Sequence, residues 1–309
     1  MSLSRALKLT TVTIISAACL AAAFAPFAIE AAPFAVNAGI ALLLWGLAYF
    51  YTHRRPDAKI ATTAETVGYM TVVSACIGLI SYTMVTLNRP LIDEHLAQID
   101  AAVGIDWLAF LAFSAQYPWF TTAMELAYHS SAWQLFAAFF ILSFCGQFDH
   151  LRRFLLTYAW TVFVVVIVAG LMPAIGAYIY YQPPPELQVM SAQAGIWHLE
   201  HFNALRDGSF SVFKLMEIEG LVTFPSFHTT LALLTVWAYW PIALLRWPIL
   251  IVNIFVLLGT VLEGGHYVID MVAGAALAGL AIVLVKRLRG ADAETKPAKQ
   301  PAEGPAFAT

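Results

Sequence analysis

Eight long apolar runs constrain this chain more than any other feature of it: Leu9 to Ile29, Phe34 to Tyr51, Thr62 to Leu87, Tyr128 to Gly146, Phe154 to Gly176, His228 to Leu245, Trp247 to Leu262 and His266 to Val285. A helix crossing the ~30 Å hydrocarbon core needs about 20 mostly apolar residues. Inside lipid every backbone N–H and C=O must find a partner within its own segment, so runs of this kind fold as helices. The chain therefore reads as an all-α, polytopic membrane helix bundle of about eight transmembrane helices. The seventh run is short and requires the bilayer to thin locally or its ends to shift. Trp107 to Glu125 is also apolar, but Gln116-Tyr117-Pro118 interrupts it. Its Trp and Tyr content suits an interfacial or re-entrant element.

Composition excludes the alternatives. Of the 309 residues, 61% are hydrophobic and 11% charged, against about 45–50% and about 25% in a soluble domain. Mean hydropathy is +0.75. A soluble domain, a disordered chain and a secreted disulfide scaffold are all ruled out. A net charge of −3 argues for no nucleic-acid partner. Cys19, Cys76 and Cys145 lie in separate apolar runs without metal-ligand spacing, so neither a disulfide framework nor a metal site is expected.

The basic residues orient the bundle. With the amino terminus cytoplasmic, the inside segments hold Arg5, Lys8, Arg54, Arg55, Lys59, Arg152, Arg153, Arg246, Lys286, Arg287, Arg289, Lys296 and Lys299, thirteen of the sixteen Lys and Arg residues. Arg89, Arg206 and Lys214 are left outside. That asymmetry predicts an even number of spans and two cytoplasmic termini. The first run, preceded by Arg5 and Lys8, is expected to be a retained helix, since the apolar region of a cleaved signal is usually shorter. Three regions follow: two N-terminal helices over 1–61, a membrane domain over 62–289, and a disordered cytoplasmic tail over 290–309, rich in Ala, Lys, Glu and Pro. The outer stretch from Ala177 to Phe227 carries Gln182-Pro183-Pro184-Pro185. At about fifty residues it is long enough to signal function or disorder.

Polar groups within a membrane bundle are costly and mark functional sites. Two clusters stand out, Phe224-Pro225-Ser226-Phe227-His228-Thr229-Thr230 and Glu263-Gly264-Gly265-His266-Tyr267-Val268-Ile269-Asp270. The topology places both at one depth on the outer side, each at a helix amino terminus whose free N–H groups favour an anion. His266 and Asp270 are four apart, a spacing that stacks them on one helix face. The carboxylate then fixes the imidazole tautomer and leaves the other ring nitrogen free to attack. Gly264 and Gly265 permit close backbone approach by a ligand. Ser226 reads either as a helix cap or as a donor to a phosphoryl oxygen, and His228 as a proton donor and acceptor.

Pro225-Ser226-Phe227-His228 resembles the second signature of the type 2 phosphatidic acid phosphatase superfamily, usually Pro-Ser-Gly-His, and Gly265-His266-Tyr267 through Asp270 is similar to its third. The Phe-Pro-Ser-Phe-His-Thr wording and the His-Tyr pair look most like the inositol phosphorylceramide synthase branch. The resemblance covers roughly 206–279. It implies a six-helix core, a phosphohistidine formed on His266, and His228 protonating the departing alkoxide and later deprotonating the acceptor, with Asp270 supporting His266. Where the superfamily has an arginine six residues before the nucleophile, this chain has Thr260; its first signature would set Tyr82 against Arg89-Pro90. Phosphate binding is therefore assigned to outer-face cations, Arg206 first, Lys214 second and Arg89 third, beside Ser226.

Other polar residues read as ordinary. Trp197-His198-Leu199-Glu200-His201 lacks a third ligand and reads as a solvated loop or interfacial helix. Glu125 and His129 read as a structural or interfacial pair, or as lining the path of a lipid. Gly274 and Gly279 read as close helix-packing positions. The acids Asp93, Glu94, Glu186, Glu217, Glu219 and Glu263 are expected to repel an anionic headgroup.

The expected protein is an integral membrane enzyme, sited in a bacterial inner membrane with its active site facing the periplasm. It would cleave or transfer the phosphoryl group of a phospholipid or sphingolipid, without metal or cofactor. A simple lipid phosphate phosphatase using water, and a non-catalytic lipid transporter or scaffold, are the alternatives. The sequence leaves headgroup, acceptor and oligomeric state open.

Overall fold

The computed structural model describes residues 2–187 and 195–288. Twelve α-helices account for nearly all of the regular structure there: α1 Leu3–Phe24, α2 Ala31–His53, α3 Ala58–Val85, α4 Asp93–Ala102, α5 Trp107–Ala115, α6 Pro118–Phe144, α7 Phe148–Leu171, α8 Ala177–Tyr181, α9 Leu199–Asp207, α10 Phe227–Tyr239, α11 Arg246–Leu262 and α12 Val268–Lys286. Two-residue strands, β1 Ala28–Ile29 and β2 Val212–Phe213, pair in parallel and tie the α1–α2 turn to the segment between α9 and α10. The expected tail over 290–309 lies outside the described residues.

Each of the eight apolar runs falls on a helix. Five of these helices, α1, α2, α3, α7 and α12, are long and apolar enough to cross a membrane, which makes this an integral membrane protein. α4 and α5 form a broken or re-entrant element bent by 79°, of which only α5 falls in the stretch read as interfacial or re-entrant. Two boundaries differ from expectation. α6 starts at Pro118, ten residues before Tyr128, because proline fits the first turn of a helix, where its missing N–H is no loss. Glu125 and His129 thereby share one helix. α10 is only 13 residues long, because Pro241 follows Trp240 and cannot donate the next helical bond.

The core runs through the middle of the bundle, with Phe139, Phe154, Leu151 and Leu234 completely or almost completely buried. α10 packs among α6, α7, α11 and α12, and α3 joins them through α6 and α7. α1 and α2 lie outside, packed mainly on α3, and α2 buries only Ala41 and Ala48. Leu42 and Leu43 of α2 remain exposed, as suits a helix facing lipid tails. Two close crossings set the geometry around the polar clusters. A side chain at Gly274 on α12 would strike the Ser226 carbonyl at the start of α10, and one at Gly259 on α11 would lie 2.7 Å from the Met124 carbonyl of α6. Gly279, expected to play the same part, faces open space.

Candidate active site

The starts of α10 and α12 are bonded to each other. The Ser226 N–H donates to the Asp270 carbonyl at 3.0 Å, and the Thr230 hydroxyl bridges the carbonyls of Ser226 and Gly274 at 3.0 and 3.1 Å. These bonds bring His228 and His266 together, with ring centroids 6.5 Å apart and ring planes inclined at 64°. Both line one cavity of about 520 Å³, together with His129, His198, Tyr128 and Glu219.

Asp270 stands behind His266. Its Oδ2 lies 3.3 Å from His266 Nδ1 and accepts the Tyr267 N–H at 3.0 Å. The pair is not made along a helix face, as the spacing suggested. His266 precedes α12, Tyr267 is its N-cap, and Asp270 is the third residue of the helix, folding back over the cap. The result for the imidazole is the same: Nδ1 is held by the carboxylate, which leaves Nε2 as the ring nitrogen that Asp270 does not engage. Gly265 makes the turn possible with φ +61°, and a side chain there would also run into Tyr178. Both glycines before His266 are demanded by protein packing, since a Gly264 side chain would meet the Thr260 carbonyl at 2.8 Å.

His228 is held from the other side by Tyr128 of α6. The rings stack with centroids 4.2 Å apart, and the Tyr128 hydroxyl lies 3.2 Å from His228 Nδ1. This leaves His228 Nε2 for the cavity. Nothing in the local wording around Tyr128 marked it. A tyrosine one residue before a polar histidine in an apolar run was the only signal.

The start of α12 is not a vacant anion site. The first amides of α12, those of Val268 and Ile269, donate to the Asp100 carboxylate at 2.7 and 2.9 Å. Thr229 N–H donates to Ser226 Oγ at 3.3 Å. The protein's own side chains thus take up the first two donors of α12 and one donor of α10. Ser226 is completely buried as the N-cap of α10 and does not line the cavity. Asp93, expected to repel anions, is buried instead and takes the N–H groups of Ile175 and Gly176 and the Tyr267 hydroxyl. The re-entrant element thus carries two carboxylates that clamp the loop bearing His266. Glu263 is likewise buried.

The outer cations sit elsewhere. Arg206, in the last turn of α9, donates to the Arg89 carbonyl at 2.9 Å and lies over the Phe202 ring. Partial burial lowers its pKa from the usual arginine value. Lys214 is exposed and paired with Glu217 at 3.0 Å. Neither these two nor Arg89 lines the cavity. Tyr82, at the position compared with the first signature, bonds His201 Nδ1 at 2.7 Å. His198, read as part of a solvated segment, is buried and lines the cavity instead. Its neighbour His201 belongs to the cluster around Tyr82.

Residues 94–284 match the sequence profile of the PAP2 superfamily, the family that the two histidine motifs resemble. The chain belongs to the PAP2 superfamily. No curated protein and no solved structure matches it. The matched stretch begins just after Asp93, so the re-entrant element and its Asp100 belong to the PAP2 region, while α1 and α2 lie outside it. PAP2 membership suggests a membrane lipid phosphatase-like function, with phosphatase-type hydrolysis and a membrane lipid as substrate.

Proposed function

We propose that this protein is a lipid phosphotransferase or phosphatase that works through a phosphohistidine on His266. The observation that carries the reading is the pairing of His266 and His228 across one cavity, with Asp270 behind the first ring. In the first step the Nε2 lone pair of His266 attacks phosphorus. The bond from phosphorus to the departing alkoxide breaks, and protonated His228 gives that oxygen its proton. In the second step the hydroxyl of water or of an acceptor alcohol attacks phosphorus and gives its proton to His228. The phosphorus–nitrogen bond then breaks and His266 is regenerated. Splitting one displacement in two is what covalent catalysis contributes, and a positioned acid–base group is typically worth ~10²–10⁴ in rate.

A second cavity of about 360 Å³ favours a lipid as the donor. It shares Tyr128, His129 and His228 with the first and continues between α3 and α6 past Met70, Ala132, Leu135 and Phe136. A chain lying there would bring its headgroup ester to the two histidines.

The positive-inside count supports an even number of spans with both termini cytoplasmic, and with the family resemblance it favours eight spans, two outer helices on a six-helix core, and a site facing the periplasm of a bacterial inner membrane. The synthase-like wording of Phe224 to Thr229 favours transfer to a lipid or polyol hydroxyl over hydrolysis. Incubating purified protein with labelled phospholipid, with and without an alcohol acceptor, tests this. With a phosphomonoester lipid as donor, a new phosphate ester of the alcohol that appears only with the alcohol is expected. Free phosphate in every tube would leave a phosphatase, full turnover by His266→Ala would end the phosphohistidine, and no product in any tube would end the enzymatic reading.

A further inference from the structure

The close crossing of α6 and α11 at Gly259 gathers a second polar cluster, of which His129 lines the same cavity. Glu125 and His129 are one turn apart on α6, and Glu263 stands at the end of α11, one turn beyond Gly259. One ligand-type atom from each lies within 4.8 Å of the others, and His129 Nε2 is 3.1 Å from Glu263 Oε1. We propose that Glu125, His129 and Glu263 bind a divalent metal ion of the zinc type.

Three observations converge. The donor set is one imidazole and two carboxylates, which suits zinc with a fourth position left open. Metal–ligand bonds of about 2.1 Å put neighbouring ligand atoms ~3.4 Å apart, so ordinary side-chain rotation closes the site. Glu263 is also completely buried at the carboxyl end of a helix, where the negative pole of the helix dipole opposes a carboxylate. Finally, His129 lines both cavities, while Arg89, Arg206 and Lys214 do not line the larger one. An ion held here would place positive charge beside the phosphoryl position. That role, though not the site, rests on the phosphoryl-transfer reading.

The test is zinc content of the tag-free, full-length protein in detergent, measured by mass spectrometry after loading with Zn²⁺ and gel filtration, with Zn²⁺ affinity from calorimetry. About one zinc per chain is expected for the wild type and for His266→Ala. His129→Ala, Glu125→Gln and Glu263→Gln should each weaken binding on the order of 10-fold to 100-fold, with helical circular dichroism unchanged. If Glu263→Gln does not fold, the other two variants, which change less buried side chains, decide. No zinc in the wild type, or zinc retained at full affinity by His129→Ala and Glu125→Gln, overturns the site. Zinc bound as expected with His266→Ala still turning over would instead sink the phosphohistidine and leave the metal site standing.

Discussion

The corner formed by α10 and α12 and the outer arm formed by α9 and β2 were expected to meet around one phosphorus atom. They differ in how they are held. In the corner, His266, Asp270 and Ser226 are buried and connected through backbone amides within a few residues of each helix start. On the arm, Arg206 and Lys214 find their partners in Arg89 and Glu217, away from the cavity. A motif at a helix end brings its own scaffold, because capping geometry is local. A cation in a long loop goes where the loop's other contacts take it, here the aromatic cluster of Phe27, Tyr82, Phe202 and Phe213.

The sharpest way to break this contrast is His266→Ala, expected to lower turnover on the order of 10⁴-fold or more while the helix content stays. His228→Ala should cost ~10²–10⁴. If instead either variant kept activity within a few-fold, the corner would not be the reactive half of the comparison. Next comes Asp270→Asn, which keeps the shape but changes the partner of Nδ1. A drop of about 10²–10⁴ in kcat with little change in substrate affinity is expected from the wrong tautomer, and a purely structural Asp270 would show only a lower melting temperature.

Gly274→Val probes the scaffold under the corner. The added side chain meets the Ser226 carbonyl, so stability should fall by about 1–3 kcal/mol through overpacking, measured as thermal unfolding in detergent. Unchanged stability would mean that the two helix starts are not held as tightly as their bonds indicate.

The smallest effect belongs to the arm. Lys214→Ala removes an exposed ion pair of a kind worth about 0.2–1 kcal/mol of stability, and kcat/KM should shift less than about threefold because the side chain does not line the cavity. A much larger rise in KM, with kcat kept, would bring Lys214 back to the phosphate and dissolve the contrast.

Legibility follows the same division. The helices were readable because burial in lipid demands long apolar runs, and the two histidine motifs were readable because each is compact. Asp93 and Asp100 were not, because what they cap lies more than eighty residues away in the chain at Ile175, Gly176, Val268 and Ile269. Tyr128 was missed for the same reason: its partner His228 is 100 residues distant. Gly274 and Gly279 looked alike, and only the crossing of α10 and α12 separates them. Glu125 and His129 were visible as a pair, but Glu263 joins them through the α6–α11 crossing, 134 residues from His129.

By itself the sequence determined that this chain is a helical membrane protein and that His228, His266 and Asp270 sit at helix starts, since apolar length and capping chemistry act over a few turns. The tertiary structure alone decided which polar groups share a cavity. It placed Tyr128, His129 and His198 there and kept Ser226, Arg206, Lys214 and Arg89 out of its wall. Helix crossings depend on shape complementarity between surfaces far apart in the chain, and no local pattern encodes that.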